Sequence, residues 1–382
     1  MSSGHPVTCR FCRGTDGEVV LDLGAQPACD HFPAVDLPVE EDPRHPLRLW
    51  LCARCGLAQL AEDPTTPEEP RAIEPEALMR QARDAIDRVA AAGLLPAAGT
   101  VREFGSPHGD SWLGLLADRG LVAPAPGQRA DVVLDCLGLL HDRDQAEALE
   151  LRLDALAPGG TLLVQFHSLA AVLGGSQWNA VRHGHFAYHS VTALTGMLAH
   201  RDVEVTHAFR FDLYGGTVLL AARRAGGAGP RDTAPLSELL REDDRLGITD
   251  PRRLRALDRS VGVLADQLHA HLEGAQREGR RVLAYGAASR AVSLLCRAGI
   301  APDLLPAVAD ASPAKHGRRM PGSGVPIVPL ERVRAAGPDE VLVFVPDLVD
   351  DARTAWPEVE AEGGCWMVVD PGLRPVRVGP RA

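Results

Sequence analysis

The chain has 382 residues, room for roughly two or three domains, and its 45% apolar content belongs to a globular protein, not a disordered one. With 51 acidic against 40 basic side chains the formal charge is −11, which argues against broad nucleic-acid binding and leaves only a local basic pocket for one nucleotide. No stretch approaches the ~18 apolar residues of a membrane span, and Met1-Ser2-Ser3-Gly4-His5-Pro6 lacks the features of a signal peptide. The expectation is a cytoplasmic protein whose partner is a small molecule, with neither nucleic acid nor membrane involved.

Cys9-Arg10-Phe11-Cys12 and Cys52-Ala53-Arg54-Cys55 form two C-x2-C pairs. Each pair sits on a tight turn that presents two thiolates to one ion, so Cys9, Cys12, Cys52 and Cys55 read as a closed structural zinc site. Two disulfides are the alternative, which the lack of a secretory signal disfavours. Cys29 and His31, between the pairs, read as a buried thiol and a surface histidine. The proline-rich, acidic run from Asp63 to Pro70 marks a boundary. Beyond it Leu78, Ala82, Ile86 and Val89 follow helical spacing.

Next, Val101 to Asp110 reads as a strand and glycine turn, leading to a helix with Trp112, Leu113, Leu115 and Leu116. Asp131 to Cys136 is a buried strand, Gln145 to Leu156 a helix, Pro158-Gly159-Gly160 a turn and Thr161 to Phe166 another strand. Val203-Glu204-Val205 and Gly216 to Ala222 supply a closing pair. Within this region Arg182, His183, His185, Tyr188 and His189 crowd three imidazoles, a guanidinium and a phenol into eight residues. Such a cluster suits proton transfer or anion binding; a metal site of His183, His185 and His189 is disfavoured because no acid stands nearby. His141 and His167 lie at strand ends, where a surface role is the simpler reading.

After the glycine-rich linker at 225–230, Leu254, Leu257, Val261, Leu264, Leu268 and Leu272 mark a helix of about 20 residues with one apolar stripe. Strands at Arg281 to Gly286, Ala307 to Asp310, Val341 to Val345 and Trp366 to Val369 alternate with helices, which predicts a parallel sheet. Ligands of such sheets lie beyond the strands' carboxyl ends, placing Gly286 to Arg290, Asp310 to Lys315 and Pro346-Asp347 around one crevice. Lys315 is the chain's single lysine.

The order of parts resembles the sugar C-methyltransferase family that acts on nucleotide-linked deoxy-keto-sugars. The resemblance rests on Glu103-Phe104-Gly105-Ser106-Pro107-His108-Gly109 for an E-x-G-S-N-D-G turn and Arg182 to Ser190 for Y-H-E-H-x-x-Y-x-S. Toward the end, Tyr285 to Arg290 stands for Y-G-A-A-x-K, Asp310 to Gly317 for D-x-x-P-x-K-x-G and Pro321 to Ile327 for P-G-x-x-I-P-I. It implies an α/β protein with a zinc-binding module (1–62), a class I methyltransferase core (71–225) and a C-terminal Rossmann-like domain (231–382). It also implies S-adenosylmethionine at Glu103, Gly105, Ser106, Gly109 and His141, and the substrate's nucleotide at Tyr285, Gly286, Ala287, Arg290, Asp310 and Lys315. His185 takes the position of the base, with His183 its neighbour, Arg182 in place of a tyrosine, Gly184 in place of a glutamate, and Tyr188 retained.

The departures concern the methyl donor. Only Leu121 to Ala130 separate the first helix of the core from the strand at Asp131, whereas two strands and a helix need about 25 to 30 residues. The core is therefore expected to be truncated and to lack the acid that grips the cofactor ribose. Pro107-His108 replaces Asn-Asp, and Cys136-Leu137 replaces a polar pair over the adenosine. Three functions follow: C-methylation of a nucleotide-linked keto-sugar or related ketone, enolisation without the donor by an isomerase, epimerase or cyclase, or a non-catalytic partner role.

Overall fold

The computed structural model describes residues 6–65, 75–107, 109, 111–369 and 372–376, and within them three sheets. The first is antiparallel, in the order β1 (Gly17–Pro27), β2 (Arg44–Cys52), β3 (Ala58–Leu60) and β8 (Ala187–Tyr188). Its last strand comes from the histidine-rich segment, paired as Ala58 to Tyr188 and Gln59 to Ala187. Asp63 and Thr65 are buried, so the start of the expected linker is packed structure. The part of that run at 66–70 lies outside the described residues, as do His108 and Asp110.

The second sheet runs β5 (Leu121–Val122), β4 (Gly99–Gly105), β6 (Ala130–Cys136), β7 (Leu156–His167), β10 (Thr217–Arg224), β9 (Val203–Phe211). Its first four strands are parallel, and β10 is antiparallel to both neighbours. Among the described residues nothing pairs beyond β5, so of the two strands and helix that 121–130 is too short to hold, one strand forms as a two-residue stub. Pro158-Gly159-Gly160 is no free turn: β7 runs through it, and its pairing with β6 shifts register there, with Gly159 at φ 77°. The helix expected around Trp112 shrinks to Leu113–Ala117, with Trp112 and Leu116 buried and Leu113 exposed.

The third sheet runs β13 (Ile327–Val328), β12 (Val308–Ala309), β11 (Val282–Tyr285), β14 (Glu340–Val343), β15 (Cys365–Val368), β16 (Arg374–Pro375). All its pairings are parallel except that of the last strand. The helix Ala256–Arg277 buries Leu257, Val261, Leu264, Leu268 and Leu272. That stripe shares one core with Val20, Leu21, Leu49 and Leu51 of the first sheet and with Trp178 and Val181. The first sheet therefore closes its apolar face on the C-terminal part.

A buried ion pair locks the same junction. Arg319, 1% exposed, donates from its two terminal nitrogens to Asp42 Oδ2 and Oδ1 at 2.7 and 2.8 Å, from one of them also to the Pro38 carbonyl, and from Nε to the Leu37 carbonyl. Burial raises the Asp42 carboxyl, but the hydrogen bonds from Arg319 and Gly322 and the guanidinium charge outweigh it and hold the group below its usual range. Removing one partner strands a buried charge. Asp42→Ala is expected to cost about 3 to 5 kcal/mol, read from the denaturant midpoint, and Arg319→Met on that background should recover most of the loss. A midpoint unmoved by Asp42→Ala would show the pair to be dispensable.

Candidate functional site

The two C-x2-C turns bring Cys9, Cys12, Cys52 and Cys55 together, their sulfurs all within 4.8 Å of one another. Cys9 to Cys55 and Cys12 to Cys52 are both 3.6 Å. A zinc with four sulfurs near 2.3 Å would space them about 3.8 Å apart in a tetrahedron, so the set fits that ion. All eight cysteines are free of disulfides. None of these four lines the cleft described below. The first turn instead braces the histidine loop: Arg10 lies 5.0 Å over the Phe186 ring, and its amide donates to Gln59 Oε1.

The loop from Arg182 to His185 is a tight reversal. His185 N donates to Arg182 O at 3.4 Å, and Gly184 sits at φ 82°, where a side chain would be strained. Two carboxylates from the first part of the chain hold it. Asp63 Oδ2 accepts from Gly184 N at 2.7 Å, and Asp30 accepts from an Arg182 terminal nitrogen at 2.7 and 2.9 Å. Tyr188 OH accepts from Arg182 N and donates to Arg182 O. Burial pushes that phenol far above its usual pKa.

These contacts sort the residues singled out from sequence. His185 and Arg182 line a cleft of about 660 Å³. His183 does not: its ring turns under the first sheet, with Nε2 3.2 Å from Pro46 O, and burial lowers its pKa. Tyr188 is also outside the lining; it pins the loop backbone. Arg182 reaches the cleft already paired with Asp30, so its charge is largely neutralised before any anion arrives. His189 is buried, 2.9 Å from Gln145 Oε1.

Ser106, Gly109 and His141 line the same cleft, whereas Glu103 and Gly105 are not part of its lining. Glu103 accepts from Ser111 Oγ at 2.5 Å and Trp112 N at 2.7 Å, so it closes its own turn. His141 Nδ1 is 2.9 Å from Gly184 O, a carbonyl that can only accept, so Nδ1 carries a proton, and Nε2 lies 3.3 Å from Ser106 Oγ. Its ring meets His185 edge-on at 4.8 Å. The turn fits a nucleoside donor in one respect: an added Cβ at Gly105 would meet nothing within 4 Å. In another it falls short, because β5 ends in Ala123-Pro124-Ala125-Pro126, with no carboxylate for a ribose. Leu137, at φ 60°, presents an apolar side chain to the cleft in a conformation that favours Asn or Gly.

From the third sheet, Tyr285, Gly286, Ala287, Arg290, Asp310 and Lys315 all line the cleft. Lys315 is itself buried, donating to Ala287 O at 2.8 Å, with Asp310 Oδ2 3.9 Å away and Phe32 beneath. Asp310 in turn accepts from Ala287 N and Ser312 N. Lys315 is thus a brace of the turn, and Arg290 lines the cleft beside it, equally buried. Sequence reasoning passed over Asp30, Asp63, Gln81 and Gln165. The two acids act across 152 and 121 residues and carry no local signal; Gln165 could have been found as the neighbour of His167 on one strand face.

Known proteins share these parts. A family model described as “C-methyltransferase C-terminal domain” matches residues 212–371, and one described as “Putative zinc binding domain” matches residues 9–69. The C-methyltransferase NovU of Streptomyces niveus is 25% identical over 417 residues, covering 96% of each chain. Among solved structures, magnesium protoporphyrin IX methyltransferase of Synechocystis PCC 6803 aligns with 39% of this chain and 84% of its own at 13% identity, TM-score 0.29. The N-methyltransferase NodS of Bradyrhizobium japonicum aligns with 38% of this chain and 96% of its own at 15% identity, TM-score 0.26. Those two likenesses are too slight to carry an argument.

Two outcomes are expected. Metal analysis of the wild type should find about one zinc per chain, and Cys9→Ser should lose it together with thermal stability; full loading after that change would contradict a four-cysteine site. Burial, and then the charge of Arg152, lower the His189 pKa to about 4. A group whose folded pKa lies below its unfolded value near 6.5 contributes its full stability above 6.5 and loses it as pH falls toward 4, at up to about 1.4 kcal/mol per pH unit. His189→Gln should remove that one-proton slope from the pH profile of Tm between 6.5 and 4; an unchanged slope would count against a neutral buried ring.

Proposed function

Since the chain belongs to the C-methyltransferase family that joins a zinc-binding domain to the C-methyltransferase C-terminal domain, we propose that it acts on a ketone, with His185 as the base. The observation that carries this reading is the convergence of His185, Arg182 and Ser106 with Tyr285, Arg290 and Asp310 on one cleft. A methyl acceptor linked to a nucleotide would lie across it. Its diphosphate would meet Arg290 and the turns after β11 and β12, and its ketone the histidine loop.

Carbon methylation beside a ketone needs removal of the α-proton and stabilisation of the enolate. His185 takes the proton on its ring. His141, its Nδ1–H committed to Gly184 O, holds the His185 ring edge-on and keeps Nε2 beside Ser106 Oγ. Arg182, fixed by Asp30, offers polarisation at the enolate oxygen without swinging freely. S-adenosylmethionine, when bound near Ser106, Gly109 and His141, supplies an electrophilic methyl group. The family's natural-product setting makes a deoxy-keto-sugar the substrate class to test first.

A second reading has its own observation. The two-residue β5 without a carboxylate, and Leu137 facing the cleft, weaken the hold on the donor, which favours enolisation alone by an isomerase, epimerase or cyclase. Calorimetric titration with S-adenosylmethionine and its demethylated product is expected to give weak, saturable binding; no binding at any concentration would eliminate methyl transfer and leave enolisation. Solvent deuterium should exchange into a keto-sugar in the wild type, at a rate reduced about 10² to 10⁴-fold in His185→Ala. A wild type that exchanges no ketone would eliminate both readings and leave a partner role.

A further inference from the structure

One wall of the cleft holds three side chains that each bury one polar atom with no partner among the described residues, Gln81 Nε2, Gln165 Oε1 and His167 Nε2, while the His167 ring also meets the Gln177 side chain and the Tyr214 backbone. Gln165 is 2% exposed. Gln165 and His167 are two apart at the carboxyl end of β7 and so point to the same face of the sheet. Gln81 reaches across from the helix Glu76–Ala91, and Gln165 Nε2 donates to its Oε1 at 2.8 Å. Exchanging N and O in both amides would reverse that bond and still leave one N–H and one carbonyl oxygen unused, so the pair shows a donor and an acceptor side by side in either assignment.

The third group is neutral as well. Burial, and then the charge of Arg290, lower the His167 pKa to about 3. The wall therefore offers hydrogen bonds and no net charge. An unmet buried polar group costs about 1 to 3 kcal/mol, and native proteins carry few of them. Three together on a cleft wall are groups kept for a ligand. An apolar ligand would leave them unmet, and a charged one would find no counter-charge in them. A hydroxyl, donor and acceptor in a single atom, satisfies the amide pair.

We propose that Gln81, Gln165 and His167 form a recognition subsite for a hydroxyl that the methyl acceptor retains. Both the acceptor's sugar and the donor's ribose carry hydroxyls. The subsite lies beside Arg290, and His167 packs 5.9 Å from the Tyr214 ring, on the side of the third sheet. The glycine turn that faces the donor follows β4, two strands away from β7. The acceptor is thus the source to which the position points. The assignment rests on the proposed function only in taking the acceptor to be a sugar-like ketone.

The test uses the full chain with Gln165→Met, Gln81→Met and the double change, three calorimetric probes and a melting curve. The probes are a nucleotide-linked deoxy-keto-sugar, the matching free nucleoside diphosphate and S-adenosylhomocysteine. The sugar should bind roughly tenfold more weakly to each variant, the loss expected for one or two such hydrogen bonds, while the other two probes bind as to wild type. The unliganded double variant should melt no lower than wild type, because apolar replacement removes the unmet groups along with their mutual bond. Unchanged sugar affinity, a loss confined to S-adenosylhomocysteine, or a lowered melting temperature would each overturn the subsite. Should the wild type fail to bind the sugar, the proposed function falls, and the melting curve alone decides the subsite: raised or equal keeps it, lowered removes it.

Discussion

The pairing of Ala187–Tyr188 onto Ala58–Gln59 is the contact on which the site depends. It makes a segment from the middle of the chain the fourth strand of a sheet built by its first sixty residues. A two-pair strand is weak by itself. Its register survives because Asp30 grips Arg182, Asp63 grips the backbone of Gly184, and Arg10 and Arg143 cover the Phe186 ring at 5.0 and 4.4 Å. Each of these partners belongs to the zinc-bearing part or sits against it. The four-cysteine site therefore does more than stabilise a module: it anchors the frame from which His185 is presented.

The same first sheet is tied on its other side to the C-terminal part, through the shared core under helix Ala256–Arg277 and the buried pair of Asp42 with Arg319. A cleft bounded by two sheets needs its walls held at fixed separation, and an apolar core plus a desolvated, bidentate ion pair resists hinge motion better than a glycine linker would. The linker at 225–230 is present, but it is not where the relative placement is set.

Charge in the cleft is managed from within. Arg182 is matched by Asp30, and Lys315 by Asp310 and the Ala287 carbonyl, while His167 is held neutral by burial. In an acidic protein, internal neutralisation of the flanking carboxylates keeps them from repelling an anionic ligand such as the nucleotide-linked acceptor proposed above, without a surplus of arginine. The wall near β7 is consequently a place for hydrogen bonds between uncharged groups.

Local chemistry was enough to find much of this protein. The spacing of Cys9, Cys12, Cys52 and Cys55 announces the metal site because two turns of fixed geometry must face one ion. The β-strand and helix periods mark the second and third sheets, and the short segment after the first core helix announces a truncated sheet by length alone. Residue type and spacing did not separate the two histidines, and only the resemblance gave His185 the position of the base; neighbours on a tight reversal point in opposite directions, so His183 goes under Pro46 while His185 lines the cleft. The sequence was also silent on Asp30 and Asp63, whose meaning comes from contacts more than a hundred residues away. Arg182 and Lys315 read as free cations for an anion, and tertiary structure made them paired ones. Residue type and spacing determine what chemistry the chain can do; long-range packing decides which of those groups are committed to holding the fold and which are left to meet a ligand.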